Sequence, residues 1–184
     1  MKKLLIMTFA LMLSPLAATA QEYGVLAGVH QTGADSNLTG DSVDGVFNFK
    51  AGFAAAFPLT NIVKFRTGLI YNQRHVKYKY STGAEVDLDF DYFDVPALVQ
   101  YNVNEMFGFF GGLVIGINAN DSAKPKASAP AIDATSLLPI LSVGANMMFQ
   151  DMIGFDVYYE RGMGDISRLH ENFGTFGANF IYWF

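Results

Sequence analysis

Phe176-Gly177-Ala178-Asn179-Phe180-Ile181-Tyr182-Trp183-Phe184 (FGANFIYWF) closes the chain with a period of two. Phe176, Ala178, Phe180, Tyr182 and Phe184 share one face, because successive side chains of an extended strand point to opposite sides. Such a face needs an apolar cover, which a second sheet or a hydrocarbon solvent supplies. A core strand at the end of a soluble domain is the alternative, and the rest of the chain decides between the two.

At the other end, Lys2 and Lys3 precede the apolar run Leu4 to Leu13, and Ala18-Thr19-Ala20 offers a small-x-small cleavage site. This pattern reads as a secretory signal peptide over residues 1–20, removed after Ala20. As a helix the apolar run is too short for a bilayer of roughly 30 Å. Loss of Lys2 and Lys3 takes the formal charge from −5 to −7. An acidic chain of this kind lacks the basic footprint of nucleic-acid binding.

Residues 21–184 read as one domain, since no Pro/Gly/Ser linker divides them. The chain has no cysteine. Neither disulfide staples nor thiolate chemistry is available to it, and stability must come from burial in a core or in lipid. No segment after residue 20 approaches the roughly 18 consecutive apolar residues of a spanning helix. A closed β-barrel remains, because only helices and closed sheets satisfy their backbone hydrogen bonds inside hydrocarbon.

The period-two test supports that class. Phe47, Phe49, Ala51, Phe53, Ala55 and Phe57 alternate with Asn48, Lys50, Gly52, Ala54 and Ala56. Val63, Phe65, Thr67, Leu69 and Tyr71 alternate with Lys64, Arg66, Gly68 and Ile70; Phe93, Val95, Ala97, Val99 and Tyr101 alternate with Asp94, Pro96, Leu98 and Gln100. One face suits lipid and the other a small, partly polar interior. Further strands are expected at 22–32, 106–118, 138–149 and 153–162, giving eight with the last one. Short turns at 58–61, 102–105 and 150–152 alternate with long connections at 35–45, near Ser81, at 119–137 and at 164–172, as in outer-membrane barrels with short periplasmic turns. A soluble lipocalin-like barrel would instead turn its apolar residues inward.

Several motifs carry a resemblance in chain order. Asp91-Tyr92-Phe93-Asp94-Val95-Pro96-Ala97-Leu98-Val99-Gln100-Tyr101, then Gly111-Gly112-Leu113 with Gly116, then Tyr159, Gly162, Asp165 and Ile166 resemble the porin-like outer-membrane β-barrel domain family, of the small OmpA/OmpX type. The closing strand resembles the carboxy-terminal assembly signal of such barrels, borne here by Phe176, Phe180, Tyr182 and Phe184. The resemblance implies an eight-stranded antiparallel up-and-down barrel in a Gram-negative outer membrane. The partners that go with it are outer-membrane lipid and lipopolysaccharide, periplasmic chaperones and the barrel-assembly machinery. A monomer without cofactor is expected. A fold does not fix an activity.

The hairpin from Tyr71 to Val95 carries the most mechanistic information. Val76, Tyr78, Tyr80, Val86, Leu88, Phe90 and Tyr92 alternate with Lys77, Lys79, Asp87, Asp89 and Asp91. Position numbers summing to 166 around Thr82-Gly83-Ala84 pair Lys77 with Asp89, Lys79 with Asp87, Val76 with Phe90, Tyr78 with Leu88, Tyr71 with Val95 and Leu69 with Ala97. In that single register the outward face is apolar within lipid and charged above it, while Val76, Tyr78, Leu88 and Phe90 point inward. A bulge that turns them outward is the competing reading.

By the same parity Glu22, Lys50, Lys64, Arg66, Arg74, Asp94, Asp156 and Glu160 enter the lumen, four cations with four anions. An eight-stranded barrel is just wide enough for side chains to fill, and buried charges are tolerated when paired. A sealed, charge-paired lumen with a structural or surface-interaction role follows as the expectation; a narrow passive channel for ions or small solutes is the alternative. Ala54 and Ala56, opposite Arg66 and Lys64, would leave those side chains room.

Catalysis finds little support. His30, His75 and His170 are the histidines of the chain, and the set Ser167, His170 and Glu171 matches no acyl-transfer spacing. A lipid-modifying enzyme is therefore a distant third reading. Neither scattered histidines nor the uneven Asp35, Asp41 and Asp44 of the first loop form a metal-binding motif. The segment 119–137, rich in Ala, Ser, Asp and Pro, reads as surface loop whose ligand, if any, is unknown.

Overall fold

The computed structural model describes residues 22–36, 42–79, 85–124, 135–164 and 170–184, with side chains from 34–36, 42, 123–124 and 170–172 set aside. The signal-peptide segment, the hairpin tip at 82–84 and the Ser167, His170 and Glu171 side chains therefore lie outside what is described. Among the described residues nine strand segments follow one another: β1 Glu22–Ser36, β2 Ser42–Pro58, β3 Val63–Gln73, β4 Val76–Lys79, β5 Glu85–Asn102, β6 Phe107–Lys124, β7 Leu137–Phe149, β8 Ile153–Gly162 and β9 His170–Trp183. No helix among the described residues is long and apolar enough to cross a membrane.

Every neighbouring pair is antiparallel, and β1 pairs with both β2 and β9, so the sheet closes on itself. β4 continues β3 beyond Arg74 and His75, and both lie between β2 and β5. The result is an eight-stranded barrel, the closure that removes open edges from the wall. Several strands run past their expected ends. β2 begins at Ser42, β6 reaches Lys124 and β9 begins at His170, so parts of the expected long loops are ladder.

Three tight turns join strands at one rim. Thr60 Oγ1 accepts from the amide of Val63, and Asn104 Oδ1 accepts from those of Met106 and Phe107. Gln150 and Asp151 take positive φ values of 51° and 57°, the left-handed pair at the centre of the 150–152 turn, in which the Met152 amide donates to the Phe149 carbonyl at 3.2 Å; its twist matches the flanking strands.

The outward face is greasy. Phe47, Phe53, Phe109 and Phe176 are exposed, and Tyr71 meets the rings of Phe49 and Phe93 across neighbouring strands. Inward rings stand where inward glycines yield space. A Cβ at Gly144 would meet the Phe110 ring, and one at Gly177 would meet Tyr158 and His30.

The hairpin register differs from the expected one. Val63 pairs with Tyr101, Tyr71 with Phe93, Val76 with Leu88, Lys77 with Asp87, Tyr78 with Val86 and Lys79 with Glu85, while Ala97 faces Thr67 instead of Leu69. These pairs sum to 164, two less than 166, and a two-residue slip keeps every side chain on its face. The reason is energetic. Surface ion pairs contribute about 0 to 1 kcal/mol each, so the long ladder below, with its buried Asn72–Asp94 hydrogen bond of 2.6 Å, sets the register.

No slip interrupts β5 against β3 and β4, but one occurs on the far flank. Lys50 of β2 pairs with Asn72, whereas Gly45 pairs with Val76. The extra β2 residue reverses that strand's faces: Val43 packs on the apolar core and Asp44 is exposed. At this point Asn48 substitutes for a ladder rung, donating to the carbonyl of His75 at 3.0 Å and accepting from its amide at 2.9 Å.

Candidate functional site: the barrel interior and its extracellular extension

Inward residues of the lower wall form paired charges. At the turn rim, Lys64 donates to both carboxylate oxygens of Glu22 at 2.6 and 2.8 Å. Next, Arg66 meets Asp156 at 2.7 Å and also donates to Gln100. Above them Lys50 pairs with Glu160 at 3.3 Å, and Arg74 reaches both Glu160 at 3.3 Å and Asp94 at 2.9 Å. Each of the eight residues assigned to the lumen by parity thus lies within ion-pair distance of an oppositely charged member of the set, in three separate groups. The partners could not be read from sequence, because each joins strands far apart in the chain.

Placement of the alanines also needs correction. Ala56 faces Arg66, Ala54 faces Gly68, and Lys64 is opposite Pro58. The same two-residue offset applies, because the turn spans 59–62 and not 58–61. Ala56 still leaves space beside Arg66.

Neutral groups complete the network. Asn146 donates to Asp156 at 2.7 Å, Asn72 donates to Asp94, and Gln100 bridges toward Asn102 at 2.6 Å. Aromatic faces add to the cation contacts: the Lys50 ammonium lies 3.7 Å from the Tyr158 ring centre, and Arg74 lies between Tyr92 and Phe173 at 5.4 and 5.7 Å. Desolvating an ion costs several kcal/mol, and this ring of carboxylates, amides and π faces offsets that cost. The cavity left among Lys50, Arg66, Asp94, Asp156 and Glu160 measures about 40 Å³, room for a few waters at roughly 10–15 Å³ each.

Above the charges the interior turns apolar. Val76, Tyr78, Val86, Leu88, Phe90 and Tyr92 pack with Leu138, Ile140 and Phe173, and Phe90 and Tyr92 are completely buried. Their strand neighbours point outward into ion pairs. Lys77 lies near Asp87 at 3.9 Å and Glu85 at 3.7 Å, and Lys79 near Glu85 at 3.6 Å and Asp44 at 2.7 Å. The latter contact raises the Lys79 ammonium above its ordinary pKa, since the Asp44 carboxylate accepts its proton in a hydrogen bond. Asp89 and Asp91 flank the ring of His75, at 3.5 and 3.1 Å.

These pairs replace the expected Lys77–Asp89 and Lys79–Asp87 partners. Asp44 is thereby a strand residue bound to lysine instead of a loop cation ligand, and no metal-binding group of His, Cys, Asp and Glu occurs among the described residues. At the chain end Phe176, Phe180, Tyr182 and Phe184 are exposed on the outer wall, while Trp183 is buried inside.

Sequence reading missed His30, Asn72, Asn146, Tyr158 and Phe173 as interior residues. Parity alone marks His30 in β1 and Tyr158 in β8, which stand two positions from other inward residues. Thr32 Oγ1 lies 3.3 Å from His30 Nδ1 and 3.0 Å from Thr175 Oγ1, a contact no local pattern reveals.

This geometry has counterparts. Neisserial surface protein A superposes with a TM-score of 0.58 at 16% identity, covering 88% of this chain and 97% of that one. Ail of Yersinia pestis, crystallised with the heparin analogue sucrose octasulfate, gives 0.56 at 18% identity, covering 90% and 100%. OprG of Pseudomonas aeruginosa gives 0.55 at 12% identity, covering 92% and 98%. At these identities the likeness is one of fold. Among curated proteins none matches the chain in sequence. Residues 18–168 match the outer membrane protein beta-barrel domain family. With that match over most of its length, the chain belongs to this family, and its site is the outer membrane of a Gram-negative cell.

Proposed function

We infer that this protein is a non-conducting barrel whose work lies at the cell surface, in its extracellular sheet and loops. One observation carries the reading. Arg74 is wholly buried, tied to Asp94 and Glu160, and lies beneath the apolar cluster of Val76, Tyr78, Leu88 and Phe90. Ion passage would have to part these pairs and wet that cluster, both at high cost.

The channel alternative draws on the cavity of about 100 Å³ at the turn rim, which gives ions an entrance without an exit. The proposal also includes removal of residues 1–20, delivery by periplasmic chaperones and the barrel-assembly machinery, a monomer surrounded by lipid and lipopolysaccharide, and no catalytic activity. A polyanion like the heparin analogue on Ail is disfavoured on the outward face of the extension. The outward face of the extension presents Asp44, Glu85, Asp87, Asp89 and Asp91 against Lys77 and Lys79, and like charge repels.

Planar-bilayer recording of the refolded chain tests this. Silence from the intact protein is expected, with conductance appearing when Tyr78→Ala and Phe90→Ala are combined with Asp94→Ala. Stable, salt-dependent openings of the intact protein would make the channel reading the correct one.

A further inference from the structure

A second feature lies at the opposite end from the apolar cluster, where the short turns meet the periplasm. Along β6 and β7, Phe107 pairs with Met147 and Gly108 with Asn146. One rung further Met106 stands opposite Met148, and the Met148 amide donates to the Met106 carbonyl at 2.7 Å. Directly opposed residues place their Cβ atoms about 4.5–5.5 Å apart, so the two side chains start from adjacent points of the wall, and a rotamer change is enough to turn both sulfurs to one ion. Asn104 holds the Met106 turn through its own side-chain oxygen. Met148 packs on the interior cluster that contains Trp183.

Both methionines line the cavity of about 100 Å³ at this rim. Glu22, Lys64, Glu105 and Asp151 line it too. Lys64 is matched by Glu22, whereas Glu105 and Asp151 have no cationic partner among the described residues, and the lining is net negative. A hydrophobic cross-strand pair explains two apposed methionines on an apolar wall. It does not explain their placement in a polar, anionic cavity open to water.

We propose that the Met106–Met148 pair, with the carboxylates of Glu105 and Asp151 nearby, binds a soft monovalent cation of the Cu(I) class. Thioethers are polarisable, weakly hydrated donors that select Cu(I) over hard ions, and a net negative cavity attracts the cation and neutralises its charge. The absence of cysteine means that no thiolate in the chain competes for it. The cavity also holds the Glu22–Lys64 pair at the lumen's lower end, but neither methionine belongs to a lumen ion pair.

Silver(I) is the probe, added without chloride to the folded full-length barrel in lipid nanodiscs carrying methyl-¹³C methionine. The expected result is saturable binding of one ion that shifts the methyl signals of Met106 and Met148, and leaves those of Met152 and Met163 in place. Met148→Leu and, separately, Met106→Leu should weaken binding by more than about tenfold, since even outer groups around a metal commonly matter by 10–100-fold. Both variants must retain heat-modifiable mobility, which reports the folded barrel. Glu105→Gln with Asp151→Asn should weaken binding several-fold, less so at high salt. Shifts of every methionine together, silver affinity unchanged in both leucine variants, or displacement of silver by excess magnesium would each overturn the proposal.

Discussion

Arg74 and Asp94 form a two-point ion pair at the centre of the barrel, with Nη1 to Oδ1 at 3.1 Å and Nη2 to Oδ2 at 2.9 Å. Each is almost fully buried. The arginine sits where β3 gives way to β4, and Glu160 of β8 takes another of its donors from across the lumen. One side chain thus links a hairpin to the opposite wall.

Removing one member of this pair should be worse than removing both. Asp94→Leu alone leaves Arg74 short of a counter-ion and should destabilise by about 3 to 5 kcal/mol. Adding Arg74→Met should recover a large part of that loss. Urea unfolding in lipid vesicles, followed by heat-modifiable mobility, gives both values; an Asp94→Leu variant as stable as the parent contradicts the buried pairing.

The register can be trapped covalently. Lys77→Cys with Asp87→Cys places two thiols directly opposite each other, within the Cα separation a disulfide accepts. Lys77→Cys with Asp89→Cys does not. Mild oxidation should cross-link the first pair readily and the second poorly, as read by mass spectrometry after proteolysis between the two positions. The reverse order would restore the register two residues away.

Truncating the apolar cluster should cost stability in proportion to the space it opens. Phe90 is completely buried among Val76, Leu88 and Leu138, so Phe90→Ala should destabilise by about 3 to 5 kcal/mol. Exposed Phe176→Ala faces lipid and should cost clearly less. Equal losses at the two sites would show that the cluster is not a packed core.

Lys79 provides a contrast on the surface. Its pKa is raised by Asp44, so the stabilisation from that contact is present below the ordinary lysine value and disappears only as pH climbs through the raised one. Folded fraction should therefore be flat through neutral pH, and Lys79→Ala should leave the urea midpoint within measurement scatter. A loss of stability near neutral pH that Lys79→Ala abolishes would contradict this assignment.

Deleting Phe184 tests the assembly role of the last strand. Its ring points outward and its amide donates to the carbonyl of Tyr23, at the seam where β9 meets β1. Levels of folded, heat-modifiable protein in outer-membrane fractions should fall. Unchanged levels would remove the terminal residue from the signal.

Alternation was enough to read the class of this fold. Phe47 to Phe57 and Phe176 to Phe184 show which side chains face lipid, since a strand's faces are a local property with period two. The same parity marked Lys50, Arg66, Arg74, Asp94, Asp156 and Glu160 as inward residues. It also explains why the inward face of Val76, Tyr78, Leu88 and Phe90 was legible although their partners were misplaced by two: such a slip leaves parity untouched.

Only the tertiary structure decided which groups meet. Arg66 with Asp156 and Lys50 with Glu160 lie 90 and 110 positions apart, and their approach depends on barrel closure and stagger, to which no local pattern is sensitive. The slip in β2 that sends Asp44 outward to Lys79 depends likewise on the adjacent strand, where Asn48 replaces a rung with its side chain. Local chemistry therefore determined strand, face and membrane. Long-range hydrogen bonding and the cost of leaving a buried charge alone decided register, partners and the layering of apolar cluster over paired charges.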